Sequence, residues 1–264
     1  MKVIKQISAG DKNNIKSLTL EIENLVYSNV KENYPGNWDQ GSITDSLFSD
    51  LKKLFHDRKI HAPGNTFRSS WGLYRLRDDS DPIFSDIAII IQIAYHDGQT
   101  CAGVVYLNVG EKDAGKNIFS SLNKLKSRKL LSVAHHSQML LYDYDAITGM
   151  AFPTVAESII GNHPFSWNSW MPYTHAVTVP ANLADSLDIK STGLYKISIP
   201  FSYQLCYRYL YGLDLDYHKT ALDVAAGLKP NKGFPKLLVL ISVAHGGAEP
   251  NNEFTVDPNR YDEF

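Results

Sequence analysis

The stretch that decides the fold is residues 85–112, SDIAIIIQIAYHDGQTCAGVVYLNVGEK. Residues 86–95 are rich in isoleucine, which predicts a strand that is buried on both faces of a sheet. His96-Asp97-Gly98-Gln99 predicts a hairpin turn, because Asp-Gly is a favoured pair in short turns. Residues 102–109 then form the return strand. The stretch therefore predicts a strand hairpin in the core of the protein.

The chain around this hairpin alternates between helical and strand periodicity. Residues 40–145 predict the order helix, strand, strand, strand, helix, strand. The first helix of this order starts at Thr44 as its N-cap, and another helix precedes it at residues 13–31. The remaining predicted elements are a strand at 71–76, a basic helix at 119–131, a strand at 138–142, a long loop around Trp167 and Trp170, a strand at 195–199, an aromatic helix at 201–211, a helix at 221–228, a strand at 237–243 and a loose tail at 249–264. No Gly/Ser/Pro linker separates the halves, which favours one α/β domain.

Composition excludes several classes of protein. The 264 residues carry 26 basic and 28 acidic side chains and are 44% hydrophobic, so the chain has enough apolar material for a core and too little net charge for a histone-like arm. The longest apolar run, residues 87–95, is far shorter than the ~20 residues of a membrane helix. The amino terminus has no signal-peptide pattern, and two cysteines make no disulfide framework. We therefore expect a soluble cytoplasmic protein without a membrane partner.

Familiar catalytic motifs are missing from the sequence. It contains no GxxxxGK[ST] loop, GxGxxG fingerprint, GxSxG elbow or HExxH helix. These absences argue against P-loop ATPases, Rossmann dehydrogenases, α/β-hydrolases and zincins.

The order of elements, with Asp86 opening the hairpin, resembles the PD-(D/E)xK nuclease superfamily, which has the restriction-endonuclease-like fold. The resemblance spans residues 40–145 and rests on element order and one matched residue. It implies a nuclease-like core in residues 1–145, with a mixed sheet flanked by helices. Residues 146–264 are then an α/β elaboration packed on the same domain.

The resemblance also implies a catalytic site at the hairpin. Family members carry the first acid where Asp86 stands and Glu-x-Lys on the next strand, and the two acids hold Mg²⁺, whose bound water attacks phosphate. Here Asn108 and Gly110 occupy the Glu and Lys positions, so two of the three signature residues differ. Glu111 and Lys112 follow, and on a continued strand only Lys112 shares the face of Asn108. The catalytic prediction is therefore a degenerate site.

A migrated active site is the alternative. It combines Asp86 as the metal ligand with Lys112 and a carboxylate from the first helix, either Glu21 or Glu23. On pattern alone, Asp86 is also an ordinary turn residue before a strand, which requires no catalytic role.

A basic segment follows the hairpin. Lys116, Lys124, Lys126, Arg128 and Lys129 are close together in sequence, which suits phosphate contacts along one face. The other interpretation is a solvated helix face. In the nuclease-like fold this helix lies near the nucleic-acid cleft.

Two His/Asp clusters and an aromatic stretch are further candidates. In the first cluster, His135 and His136 precede a predicted strand that Asp143 and Asp145 follow. In the second cluster, Asp214, Asp216 and His218 alternate along the chain. Both clusters contain residue types that bind metals, but such residues are also typical of turns. Tyr203, Tyr207, Tyr209 and Tyr211 favour core packing first, a partner surface second and base stacking third.

Three functions stay open. The first is a degenerate nuclease-fold protein that binds nucleic acid or an active partner subunit; the resemblance alone suggests a prokaryotic defence or restriction-type system. The second is an active Mg²⁺-dependent nuclease with the migrated motif. The third is a protein-interaction module, either in a complex or as a homo-oligomer.

Overall fold

The computed structural model describes residues 14–56, 58–62, 65–77, 82–150, 173–229, 233–246, 248–250 and 254–264. In these ranges one mixed nine-stranded sheet runs through the molecule in the order β1-β2-β8-β3-β4-β5-β6-β7, and β9 pairs with β2. The strands are β1 (Lys59–Ala62), β2 (Asn65–Leu76), β3 (Ile83–Ala94), β4 (Thr100–Glu111), β5 (Gln138–Ile147), β6 (Thr174–Pro180), β7 (Ile199–Pro200), β8 (Phe234–His245) and β9 (Tyr261–Glu263).

The predicted hairpin lies in the middle of this sheet. β3 and β4 are antiparallel, with Ile87 opposite Leu107. β8 runs parallel to β3 on one side, and β5 runs parallel to β4 on the other. The α/β prediction of a mixed sheet flanked by helices is confirmed. The sheet does not divide at residue 145, because β8 from the C-terminal part lies between β2 and β3.

Helices cover both faces of the sheet. They are α1 (Ile15–Val26) with a π-helical turn at Tyr27–Lys31, α2 (Gln40–Phe55), α3 (Lys124–Leu131), α4 (Ala181–Ser186), α5 (Phe201–Tyr203), which continues through a π-helical turn (Gln204–Arg208) and a 3₁₀ turn (Tyr209–Tyr211), and α6 (Lys219–Ala225). Alternate residues of β3 separate the two layers. Ile87 and Ile89 pack in the core formed with α1, α2 and the aromatic helix, whereas Ala88 and Ile90 pack with Leu130 of α3.

Several sequence predictions of local structure are wrong. The N-cap of α2 is Asp39, whose carboxylate accepts from the Gly41 and Ser42 amides, so Thr44 lies inside the helix. The predicted strand at 195–199 is a 3₁₀ helix (Thr192–Ile197) followed by the short strand β7.

Two further boundaries differ from the sequence prediction. The basic helix starts at Lys124 rather than residue 119, because Asn123 caps it by accepting from the Leu125 amide. The tail predicted to be loose contributes β9, which the buried ring of Tyr261 anchors. The loop predicted around Trp167 and Trp170 lies outside the described residues.

Candidate functional site

Asp86 lies near the start of β3 on the face that α3 covers. Its Oδ2 atom accepts a hydrogen bond from the Val109 amide at 2.8 Å. Its Oδ1 atom accepts from the Lys126 ammonium at 2.6 Å, and the Asp86 side chain is only 16% exposed. Both oxygens of the predicted first acid therefore already have donors, one of them a cation from α3.

The two altered signature positions lie beside Asp86 on β4. Because Ile87 is opposite Leu107, the antiparallel register places Asp86 opposite Asn108. Asn108 is buried, and its Oδ1 atom has no hydrogen-bond partner in the described part of the chain. At Gly110 a Cβ atom would lie 2.9 Å from Cγ of Leu122, well inside van der Waals contact. Leu122 thus fills the space that a lysine at position 110 would enter.

Lys112 does not take the place of a lysine at position 110. Its ammonium lies 2.8 Å from Oδ2 of Asp145 and 3.2 Å from Oδ2 of Asp143, and it sits 4.9 Å above the Tyr144 ring. Burial by itself would lower the pKa of Lys112, but hydrogen bonds and charge from the two aspartates raise it overall. Tyr195 completes this group of side chains by donating to Asp143 at 2.7 Å. Lys112 is therefore a buried, charged residue in an ion-pair network.

The other predicted carboxylates are not brought to Asp86. Glu21 forms a bidentate ion pair with Arg58, with nitrogen–oxygen distances of 2.7 and 2.8 Å. Glu23 accepts from Thr174 at 2.8 Å and from Ser202. Burial raises the pKa of Glu23 to about 7, although these two hydrogen bonds act against the rise. Burial also raises the pKa of Glu111, and its Oε2 atom has no partner within the described ranges.

The residues around Asp86 do not fit a Mg²⁺ site. Magnesium takes oxygen ligands in octahedral geometry and usually requires carboxylates that are free to bind it. Here Asp86 is bound by Lys126, Asn108 offers a neutral amide, and position 110 has no side chain. Within the ranges that the structure describes, no group of three or more His, Cys, Asp or Glu side chains is placed to hold a metal. The two His/Asp clusters in the sequence therefore do not assemble into one either.

The predicted nucleic-acid contacts fall into two groups. Three of the cations are paired: Lys126 with Asp86, Arg128 with Asp185 of α4 at 3.2 Å, and Lys116 with Asp113 at 3.7 Å. Lys124 and Lys129 are exposed and form no ion pair with a described residue. Arg128 and Lys116 remain more than 60% exposed at the side chain despite their partners. Four of the five cations are thus exposed to solvent, whereas Lys126 is partly buried.

The sequence patterns did not reveal which residues contact Asp86, Gly110 and Lys112. Lys126 was predicted to contact nucleic acid, but it bonds to Asp86 instead. Leu122 carried no chemical signal, and Asp143 and Tyr195 were not connected with Lys112. Their pairing depends on contacts between elements far apart in sequence, which periodicity does not report.

Comparison with known proteins adds no relative. No protein-family model, curated protein or solved structure matches the chain. None of the described helices is long and apolar enough to cross a membrane.

Proposed function

We propose that the chain is a nuclease-fold protein without a working catalytic centre, and that it binds nucleic acid through α3. The observation that carries the proposal is the bond between Lys126 and Asp86. A lysine ammonium occupies the place where the superfamily's first acid would meet its metal ion. Leu122 over Gly110 supports the same conclusion, because no lysine can occupy position 110 without moving it.

The binding surface is the solvent face of α3. Lys124, Arg128 and Lys129 project there, and Lys116 precedes them. Cations on one face bind the phosphate backbone without reading sequence, and the affinity then falls steeply with salt. With Asp86 held by Lys126, the proposal assigns the chain a binding function and no cleavage of the bound strand.

Two measurements test the proposal. The purified protein is incubated with single- and double-stranded DNA and RNA in Mg²⁺ or Mn²⁺, beside an Asp86→Ala control. We expect no cleavage by either protein; cleavage that Asp86→Ala abolishes would show an active nuclease. Binding to the same nucleic acids is then measured against salt concentration.

A matched pair of charge reversals locates the surface. Lys129→Glu should weaken binding and reduce the slope of log K against log salt by about 1 or more. Lys53→Glu is the control, because Lys53 is an exposed lysine on α2, on the opposite face of the sheet. Equal effects of the two variants would contradict binding through α3.

A protein partner on the same surface is the second candidate. Leu125 of α3 is 68% exposed, and Leu183 and Leu187 at α4 are also exposed. The Arg128–Asp185 pair joins these two helices. Exposed leucines grouped on neighbouring helices are typical of protein interfaces. Leu125→Ser, which adds no charge, should then abolish complex or dimer formation, measured by light scattering, while leaving nucleic-acid binding intact.

A further inference from the structure

A polar cleft of about 340 Å³ opens beside α3, at the end of the sheet where β5 begins and β6 ends. Its volume lies within the range of small-molecule pockets, about 300–1,000 Å³. The loop after α3 brings His135 and His136 to its rim, and the aromatic helix supplies Gln204 and Arg208. Neither the nuclease-like position nor the cations of α3 account for this cleft.

The cleft contains a buried polar group with unmet hydrogen-bonding capacity. Gln138, the first residue of β5, is only 5% exposed, and its carbonyl oxygen has no hydrogen-bond partner among the described residues. A buried acceptor without a donor costs about 1–3 kcal/mol. A ligand that brings an N–H donor into the cleft would recover this cost.

The charges in the wall of the cleft are balanced internally. Asp214 accepts from Nη2 of Arg208 and from Nε2 of Gln204, each at 2.8 Å, and also from Nε of Arg208. Burial would raise the pKa of Asp214, but these hydrogen bonds lower it, so the carboxylate is ionised and neutralises the guanidinium. The wall therefore suits a neutral, polar ligand better than a phosphate.

The residue types in the lining suit a planar group. The guanidinium of Arg208 and the imidazoles of His135 and His136 offer planar surfaces, and these are side-chain types on which bases stack in nucleic-acid complexes. Pro180 and Ile199 add apolar wall. Amides such as that of Gln138 read the hydrogen-bonding edges of bases.

We infer that this cleft binds a nucleobase that carries an exocyclic amino group, presented by an unpaired nucleotide. The inference rests on the proposed function, because α3 supplies the phosphate contacts next to the cleft. α3 ends at Leu131, directly before the loop that carries the two histidines, and Arg128 bonds to α4, whose Asn182 lines the cleft. A base in a duplex is stacked and paired, so only an unpaired base can enter.

The test compares strands with and without bases on one protein. The probes are a short single-stranded adenine oligonucleotide, the same strand with abasic sites throughout, and free adenosine and cytidine monophosphates. We expect the base-containing strand to bind the wild type roughly three- to tenfold more tightly than the abasic strand, the value of one or two hydrogen bonds. Gln138→Leu should reduce this difference and leave binding of the abasic strand unchanged.

Gln92→Leu is the matched control. Gln92 on β3 is also a buried glutamine with an unpartnered carbonyl oxygen, and it does not line the cleft. It should bind both strands like the wild type. Thermal unfolding of both variants separates loss of the site from loss of the fold, and the comparison of strands on the wild type needs no variant.

The outcomes separate this inference from the proposed function. Equal binding of the base-containing and abasic strands, with no effect of Gln138→Leu, would overturn the base site and leave binding through α3 standing. Failure of both strands to bind, with mononucleotide binding that Gln138→Leu weakens, would overturn the proposed function and support the cleft as a site for free nucleotides. If neither strand nor mononucleotide binds, both are wrong.

Discussion

The ammonium nitrogen of Lys126 lies 2.6 Å from a carboxylate oxygen of Asp86, although 40 positions separate the two residues in sequence. The contact joins α3 to the start of β3, across one face of the sheet. It makes Asp86 a structural ion-pair partner of Lys126.

Lys126→Met should lower the free energy of unfolding by about 1–3 kcal/mol, because it leaves the mostly buried Asp86 without its cation. Lys124→Met is the control and should change stability by less than about 0.5 kcal/mol, since Lys124 is exposed. Urea unfolding at neutral pH measures both. Equal stability of the two variants would contradict a structural role for the Lys126–Asp86 bond.

The contact between Gly110 and Leu122 predicts coupling between two substitutions. Gly110→Ala should destabilise the protein by about 1–3 kcal/mol through overpacking, and Leu122→Ala by about 2–5 kcal/mol through a cavity. In the double variant the new methyl group enters the space that Leu122 leaves. The double variant should therefore lose less stability than the sum of the two single variants. We expect the difference to be about 0.5–3 kcal/mol in a double-mutant cycle measured by denaturant unfolding. Strict additivity would show that Leu122 does not close position 110.

Lys112→Met should cost about 3 kcal/mol or more, because Asp143 would remain buried without a cation. Lys116→Met is the matched control, since Lys116 is exposed and its ion pair with Asp113 is long, at 3.7 Å, and worth under about 1 kcal/mol. Thermal unfolding distinguishes the two variants. If the protein needed Lys112 only for catalysis, both would unfold like the wild type.

Glu23 predicts a pH dependence of stability. Its pKa of about 7 in the folded protein exceeds the ordinary value of 4.5 for a glutamate, so the folded state binds more protons than the unfolded state between these values. Stability should therefore fall as pH rises from about 4.5 to 7, and level off above that. Glu23→Gln removes the titrating group, so its gain over the wild type should be larger at pH 8 than at pH 4, by about 3 kcal/mol. Equal differences at both pH values would refute the raised pKa.

The central hairpin could be predicted because its signals are local. Isoleucine-rich residues, an Asp-Gly turn and a second β-branched run specify two adjacent strands without any distant contact. The aromatic helix and the late apolar strand were predicted for the same reason. Helix starts were harder, because Asp39 and Asn123 compete with nearby polar residues such as Thr44 as caps, and only the backbone geometry decides between them.

The neighbours of the hairpin were not predictable from periodicity. β8 lies between β2 and β3, although it follows β3 by more than a hundred residues of sequence, and an apolar run carries no information about which strand it will pair with. The polar cleft also depends on such pairing. Gln138 and the local pair of Arg208 with Asp214 come from two segments about 70 residues apart, and only the folded sheet brings them together.

The sequence by itself determined an α/β chain with a buried hairpin, the acid Asp86 at its start, and Asn108 and Gly110 on the next strand. Those features follow from residue type and short-range spacing. The tertiary structure decided that Lys126 neutralises Asp86, that Leu122 covers Gly110 and that Lys112 joins Asp143 and Asp145. The physical reason is that a buried charged side chain must be paired with a group of opposite charge, and the packing of the fold decides which such group lies within reach. That choice is made by the whole fold.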